Sequence, residues 1–438
     1  MALAKYIGQN PDCKSVKTGI AIVLFGYGLG NSPSLINMAE TLSKSGYSVD
    51  FYTCHTYLGN ITFSDPCIQI YNIVNSEYSA TSFQKWFLCA VSYLNKKLLH
   101  LLPLSVQIAH EERVLRDAVT AYVRSITSIA CQTRYAYFIG VEPLGMMAAC
   151  TLGSRFNTPF IYYNMELHSC PDIISASDWA QKNIERSFHG KALFTITQDE
   201  ERARIMASEN GVASDTFVTI PVCADGEPFR EKTDFLRRLL NLRETDKIIL
   251  YAGFIADWAM CEEIANSARS WPEDWIMVFH THGYSQKRYM QQLMKYESEK
   301  IRFSLNPVKY EELSDFLSSA DIGLAIYKNL GANFTLIGSA SGKIAHYLKS
   351  GLPVIVNSYP EISNMVERYS CGVGVDGPDG IRDAIAKILG SYEIMREGAF
   401  NCYMENYQFP KYFEEVLTRI GQLGLGDSAV SQLLQNEI

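Results

Sequence analysis

The chain has 438 residues, 47% hydrophobic and 20% charged, which is the composition of a globular protein of two domains. It excludes a disordered chain, a small single module and a disulfide-stapled miniprotein. The formal charge of −8 argues against a general nucleic-acid binder, because neutralising phosphates takes a basic surface, yet it leaves room for a local phosphate site.

The stretch Met1–Lys17 is mostly polar with Lys5, Asp12, Lys14 and Lys17, so it is not expected to act as a signal peptide. No run of 18 uncharged apolar residues predicts a spanning helix. The eleven cysteines are scattered singly, with no CxxC pair and no zinc-spaced Cys/His cluster. They fit buried thiols in a reducing cytosol, and the expected location is cytoplasmic. Over residues 1–200 Lys+Arg and Asp+Glu balance, so the remainder carries the whole negative charge and the first half is freer to approach an anionic surface.

From Thr18 the chain reads strand, glycine loop, helix, turn, strand. Ile20 to Phe25 suits a strand buried on both faces, and Leu35, Met38, Ala39 and Leu42 recur at helical spacing. The loop Gly26-Tyr27-Gly28-Leu29-Gly30-Asn31 is weak as a dinucleotide fingerprint, since Asp50, the acid in range, precedes Phe51-Tyr52-Thr53 and so falls at a strand start. Phe83 to Arg124 is a helical excursion in which Trp86, Phe87, Leu98 and Leu99 surround Lys96 and Lys97. It is either a basic amphipathic surface for peripheral membrane contact or a helix packed on the sheet.

Further buried strands are predicted at Tyr135 to Val141, Phe160 to Asn164 and Ala192 to Gln198. Glu142 and Glu166 end two of them. Carboxyl ends of parallel strands line the ligand crevice, so both acids are candidates for orienting an acceptor or taking its proton, with helix capping as the alternative. Near Ile220 to Pro228 the periodicity stops, as in a linker. A second series follows: Lys247 to Ala252, Trp275 to His280, Lys300 to Ser304, Ile322 to Tyr327, Pro353 to Asn357 and Gly372 to Val375. Two doubly wound α/β units in tandem are therefore predicted. Their expected bounds are 1–222 and 230–398, with a helical tail at 399–438 that crosses back to the first. His280 and His282 share one strand face without a clear third ligand, so no metal is expected and His282 is a cleft-lining candidate.

The most informative stretch runs from Gly338 through Ser339, Ser341, Gly342, Lys343 and His346 to Gly351-Leu352-Pro353-Val354-Ile355. It predicts a helix capped by Ser341 and stopped at Gly351. The first turn offers unpaired N–H groups and the positive dipole end, and Lys343 adds a full charge, which together make an anion site suited to diphosphate. An ordinary capped helix with a solvated lysine is the alternative.

With Ser319-Ala320-Asp321-Ile322-Gly323-Leu324-Ala325 before it and Tyr359-Pro360-Glu361 after it, this block resembles the donor-binding domain of GT-B glycosyltransferases of the family 4 type. The Ser-Gly-Lys form is similar to a bacterial subgroup, and Tyr251 to Trp258 and Thr195 to Arg202 extend the likeness. The resemblance implies a GT-B fold, two Rossmann-like domains facing an interdomain cleft. It implies transfer of a hexose from a nucleotide diphosphate sugar, a UDP- or GDP-sugar, to a glycan, lipid-linked or other glycoconjugate acceptor in polysaccharide biosynthesis. A retaining, metal-independent reaction is implied, with the donor on the second domain and no other cofactor.

Taken together, the donor-side candidates are Gly253, Asn306, Val308, Tyr327, Ser339, Ser341, Gly342, Lys343 and His346; the cleft or acceptor-side candidates are Gly28, Gly30, Asn31 and His282; Glu142, Glu166 and Lys343 are the catalytic candidates. The sequence departs from the family where relatives carry a Glu pair, here Gly338 and His346. It departs again where they carry Arg and Lys, here Phe254 and Ala259. The alternative these departures motivate is a catalytically inactive subunit that binds a nucleotide sugar or a partner enzyme. A sugar-nucleotide epimerase is a third reading.

Overall fold

The computed structural model describes residues 5–7, 18–26, 28–29, 32–54, 63–73, 102–281 and 287–424. Contacts divide the chain into two compact units, Met1–Ile220 with Pro410–Ile438, and Pro221–Phe409.

The first unit is built on strands β1 (Lys5–Ile7), β2 (Gly19–Leu24), β3 (Ser48–Thr53), β4 (Ile68–Asn72), β5 (Tyr135–Val141), β6 (Phe160–Tyr163), β7 (Thr195–Thr197) and β8 (Phe217–Thr219). Their order is β1-β4-β3-β2-β5-β6-β7-β8, parallel throughout except for β1 against β4. Ile20, Ala21, Ile22, Val23 and Leu24 are all fully buried, as a strand covered on both faces requires. The following helix, Pro33–Lys44, starts where expected: Ser32 Oγ accepts from Leu35 N at 3.4 Å, Pro33 holds the first turn, and Leu35, Met38, Ala39 and Leu42 face inward. Asp50 lies inside β3, where Tyr135 Oη donates to it at 2.5 Å, so it is walled in the core away from the carboxyl end.

Of the expected helical excursion, residues 83–101 lie outside the described residues. Leu104–Ala130 is one helix; Val119, Tyr122, Val123 and Ile126 are buried, while Leu104, Val106 and Val114 in its first half are about half exposed. The helix Phe409–Gly424 closes this unit, with Tyr137 Oη donating to Ile420 O at 3.0 Å. The expected boundary at 399 falls inside the helix Tyr392–Asn406, which belongs to the second unit because Phe400 packs on Gly351.

The second unit holds β9 (Lys247–Ala252), β10 (Trp275–His280), β11 (Ile301–Ser304), β12 (Ile322–Ala325), β13 (Val354–Asn357) and β14 (Gly372–Val375), all parallel. Their order, β11-β10-β9-β12-β13-β14, is the doubly wound Rossmann order. Asp321 anchors the amino end of this sheet: it accepts from Ile248 N at 2.7 Å and pairs with Lys232 at 3.0 Å and Arg237 at 3.2 Å. Tyr347 ties the helix Gly342–Lys349 beneath the sheet, its Oη donating to Leu250 O at 3.1 Å and accepting from Ala252 N at 2.7 Å.

Cys67 is disulfide-bonded, which corrects the expectation of thiols alone; Cys54, Cys131, Cys150, Cys170, Cys223, Cys261, Cys371 and Cys402 are free. Among the described residues no helix is long and apolar enough to cross a membrane.

Candidate functional site

In the second unit β9 runs out at Ala252, and Gly253 takes φ +152°, its N–H donating to His280 O at 3.0 Å. An ideal Cβ there would lie 3.1 Å from Cε and 3.3 Å from Nζ of Lys343, so the missing side chain is what admits the lysine. Lys343 enters from the first turn of the helix Gly342–Lys349. Ser341 caps that helix, its Oγ accepting from Ile344 N at 3.4 Å. Tyr251, two residues before Gly253 on the same face of β9, presents its ring to the ammonium at 3.5 Å from the centroid, and the Tyr327 ring lies at 5.3 Å. Among the described residues no carboxylate lies within ion-pair distance of Lys343. Burial pushes its pKa down to about 7. An anion entering beside it would stabilise the charged form.

Tyr327 closes the far side of this tip. Its Oη lies 3.5 Å from Ser341 Oγ, and its main chain is held by Asn357, whose Oδ1 accepts from Tyr327 N at 2.8 Å and whose Nδ2 donates to Tyr327 O at 3.0 Å. Phe254, Trp258 and Phe334 continue the wall, Phe254 and Trp258 stacked nearly parallel at 6.1 Å. Gly342 packs on Val222, and Ser339 O accepts from Val222 N at 2.7 Å. His346 lies one turn along from Gly342; burial and then Lys349 push its imidazole down to about 4, so it is neutral at pH 7. Asn306 and Val308 follow β11 at the edge of the sheet, away from the Lys343 tip in strand order.

In the first unit Glu142 and Glu166 come together. Glu142 follows β5 as the first residue of the helix Glu142–Phe156, with φ +61°, a strained left-handed value for a non-glycine residue, and is 9% exposed. Its Oε1 accepts from Met165 N at 2.6 Å and Glu166 N at 3.1 Å, bridging the ends of β5 and β6, and its Oε2 lies 3.9 Å from His168 Nε2. Burial first, then the charge of Glu166, push the Glu142 carboxyl up to about 8. Glu166 is exposed. Gly28 is described and buried; Gly30, Asn31 and His282 lie outside the described residues.

In the sequence Tyr251 and Trp258 bound a stretch that extends the likeness but carry no site role, and Phe334 and His168 carry none either. Tyr251 carried a signal, its period-two spacing to Gly253; the others are brought in by packing between separate elements.

The family model of the Glucosyltransferase 3-like C-terminal domain matches residues 271–401, a span that includes Tyr327, the Ser341 cap, Lys343 and His346. No curated protein matches the chain. Among solved structures, sucrose-phosphate synthase from Thermosynechococcus elongatus is 15% identical with a TM-score of 0.65, the match covering 96% of this chain and 100% of that one. Anabaena Alr3699/HepE, solved with UDP and glucose, is 11% identical with a TM-score of 0.63 over 92% of this chain and 100% of that one. WaaG, a glycosyltransferase involved in lipopolysaccharide biosynthesis, is 13% identical with a TM-score of 0.60 over 91% and 99%.

The fold is GT-B. At these identities the likeness is one of fold, and the two parallel sheets with their helices are its content.

Proposed function

We propose that the chain is a glycosyltransferase moving a sugar from a nucleoside diphosphate sugar to a glycan or lipid-linked acceptor. One observation carries this: Lys343, lying on the ring of Tyr251 without a described carboxylate partner, stands at a Ser-capped helix tip on the carboxyl-end side of a Rossmann sheet. The Glucosyltransferase 3-like match over that tip supports it, as do the HepE structures, solved with UDP and glucose and with UDP-glucose. The donor is accordingly a UDP- or GDP-hexose.

As the nucleoside diphosphate departs, negative charge grows on its β-phosphate. Lys343 and the N–H groups of the first helical turn answer that charge more strongly in the transition state than in the ground state. Tyr327, Ser339, Ser341 and Gly253 shape the cradle. His346, neutral, accepts from a ribose hydroxyl, and Asn306 and Val308 read the base. On the first unit Glu142, Glu166 and the glycine loop at Gly28, Gly30 and Asn31 address the acceptor hydroxyl. The reaction is retaining, as in family 4, and takes no metal. The protein works in the cytoplasm and reaches a membrane-held acceptor by peripheral contact through residues 83–124.

A thermal-shift screen of UDP- and GDP-sugars tests the proposal, because a ligand bound to the native state raises its melting point. The expected result is one nucleotide class that raises Tm, with release or transfer of its sugar. Binding without turnover, even with crude glycan and lipid acceptors, favours an inactive subunit. Conversion of the donor without acceptor favours an epimerase, and the absence of any binding removes the donor site itself.

A further inference from the structure

Resting on the acceptor-side reading of Glu166, we infer that Lys182 is a positioning residue: through Glu185 and Glu209 it fixes both ends of the loop, residues 164–170, that carries Glu166 and His168.

Lys182 stands in the helix Ala176–Phe188 and is fully buried. Its Nζ lies 2.8 Å from Glu185 Oε2 and 2.9 Å from Glu209 Oε2. Each carboxylate gives one oxygen to the lysine and turns the other toward the loop. Glu185 Oε1 accepts from Tyr162 Oη at 2.9 Å; that hydroxyl accepts from Asn164 Nδ2 at 3.1 Å, and the same amide donates to Glu166 O at 2.9 Å. Glu209 Oε1 accepts from Ser169 Oγ and from Cys170 N, both at 2.9 Å. The loop is thus tied at its start and at its end to one buried cation, and between the ties Glu142 Oε1 holds Met165 N and Glu166 N. The Glu166 side chain is exposed between these anchors.

A cation buried with two carboxylates is a poor way merely to join two helices, since desolvation offsets much of the attraction and apolar side chains of like volume would join them as well. Burial opposes the charge of Lys182 and the two carboxylates outweigh it, so its pKa is raised and it stays charged. What apolar residues could not do is aim the second oxygens of Glu185 and Glu209 at the polar groups of the loop. A segment whose N–H and C=O groups are met by fixed side chains keeps one course, and a carboxylate carried on it meets the acceptor hydroxyl from one place.

The test compares wild type with Lys182→Met, with Tyr162→Phe and Ser169→Ala, which each cut one tie, and with Glu166→Ala. Tyr137→Phe is the control: it removes a buried tyrosine hydrogen bond elsewhere in the same unit, the one to Ile420 O. Release of sugar from UDP-glucose and GDP-mannose gives kcat and the donor KM, and hydrogen exchange reads the amides of residues 164–172. Tyr162→Phe and Ser169→Ala are each expected to lower kcat at least fivefold with the donor KM within twofold of wild type, and to speed exchange in the loop. Tyr137→Phe should keep kcat within twofold at a comparable loss of Tm. Lys182→Met should lose more turnover than either single tie; if it does not fold, the two single-tie variants decide. Wild-type kcat in both of them, or an equal fall in Tyr137→Phe, overturns the role of Lys182 while a loss in Glu166→Ala leaves the acceptor-side reading standing. Wild-type kcat in Glu166→Ala overturns that reading, and a wild type that releases no sugar from either donor overturns the proposed function; this inference falls with each.

Discussion

At Lys343 two opposing effects meet. Burial drives the ammonium toward its neutral form, while the faces of Tyr251 and Tyr327 favour the cation, and an incoming diphosphate adds to the rings. The free lysine has a pKa of about 7 and the liganded one a higher value, so between the two the protein takes up a proton as the donor binds. Affinity for a UDP- or GDP-sugar should therefore be greatest below pH 7 and fall by up to about tenfold per unit above it. Calorimetry in buffers of different ionisation enthalpy should show proton uptake at pH 8. Lys343→Ala should bind about 10- to 100-fold more weakly, matching the roughly 1.5–3 kcal/mol of a charge-assisted bond, and should lose the pH slope. A flat affinity from pH 6 to 9 in wild type would contradict the assignment.

Glu142 makes the folding stability itself depend on pH. Its folded pKa of about 8 exceeds the ordinary carboxylate value, so its contribution is complete below about pH 4.5 and is lost as pH rises through 8, each unit of displacement being worth about 1.4 kcal/mol. Glu142→Gln keeps an oxygen for the two N–H donors. It should melt at a temperature less dependent on pH between 5 and 8 than wild type; identical pH profiles would refute the raised carboxyl.

Between elements, Lys182 ties two helices of the first unit together. This fully buried ammonium joins the helix Ala176–Phe188 to the helix Glu200–Asn210 through Glu185 at 2.8 Å and Glu209 at 2.9 Å. Lys182→Met removes one partner and leaves two carboxylates without it, which should cost about 3–5 kcal/mol in urea denaturation. A loss under about 1 kcal/mol would show that water reaches the pair. The elements themselves were largely legible. Tyr135–Val141, Lys247–Ala252, Trp275–His280 and Gly372–Val375 have the bounds read from the sequence, each run being rich in aliphatic and aromatic residues. Ile68–Asn72 and Phe217–Thr219 escaped notice, being short and mixed in polarity. The Ser341 cap and the Lys343 tip were written locally and could be read. Tyr327 is legible as a donor-side residue, but its gathering with the Tyr251 and Trp258 rings about Lys343 is not, since only the sheet order brings these residues together.

At the scale of the molecule, charge and exposed apolar surface coincide in sequence. The half without net charge contains the helix Leu104–Ala130, whose first half leaves Leu104, Val106 and Val114 half exposed. With the basic stretch at residues 96–97 before it, this surface is expected to bind anionic vesicles. Flotation with phosphatidylglycerol vesicles should retain the protein at low salt and release it at high salt; recovery in the soluble fraction at every salt would count against a membrane-held acceptor. The central claim concerns the other unit, and a crystal structure of the protein with the sugar nucleotide that raises its Tm tests it most directly. A β-phosphate oxygen should lie about 2.7–2.9 Å from Lys343 Nζ, with the N–H groups of Gly342 and Lys343 turned toward the phosphate. Phosphates bound elsewhere, with the Lys343 ammonium still lying on Tyr251 and touching no ligand, would contradict it.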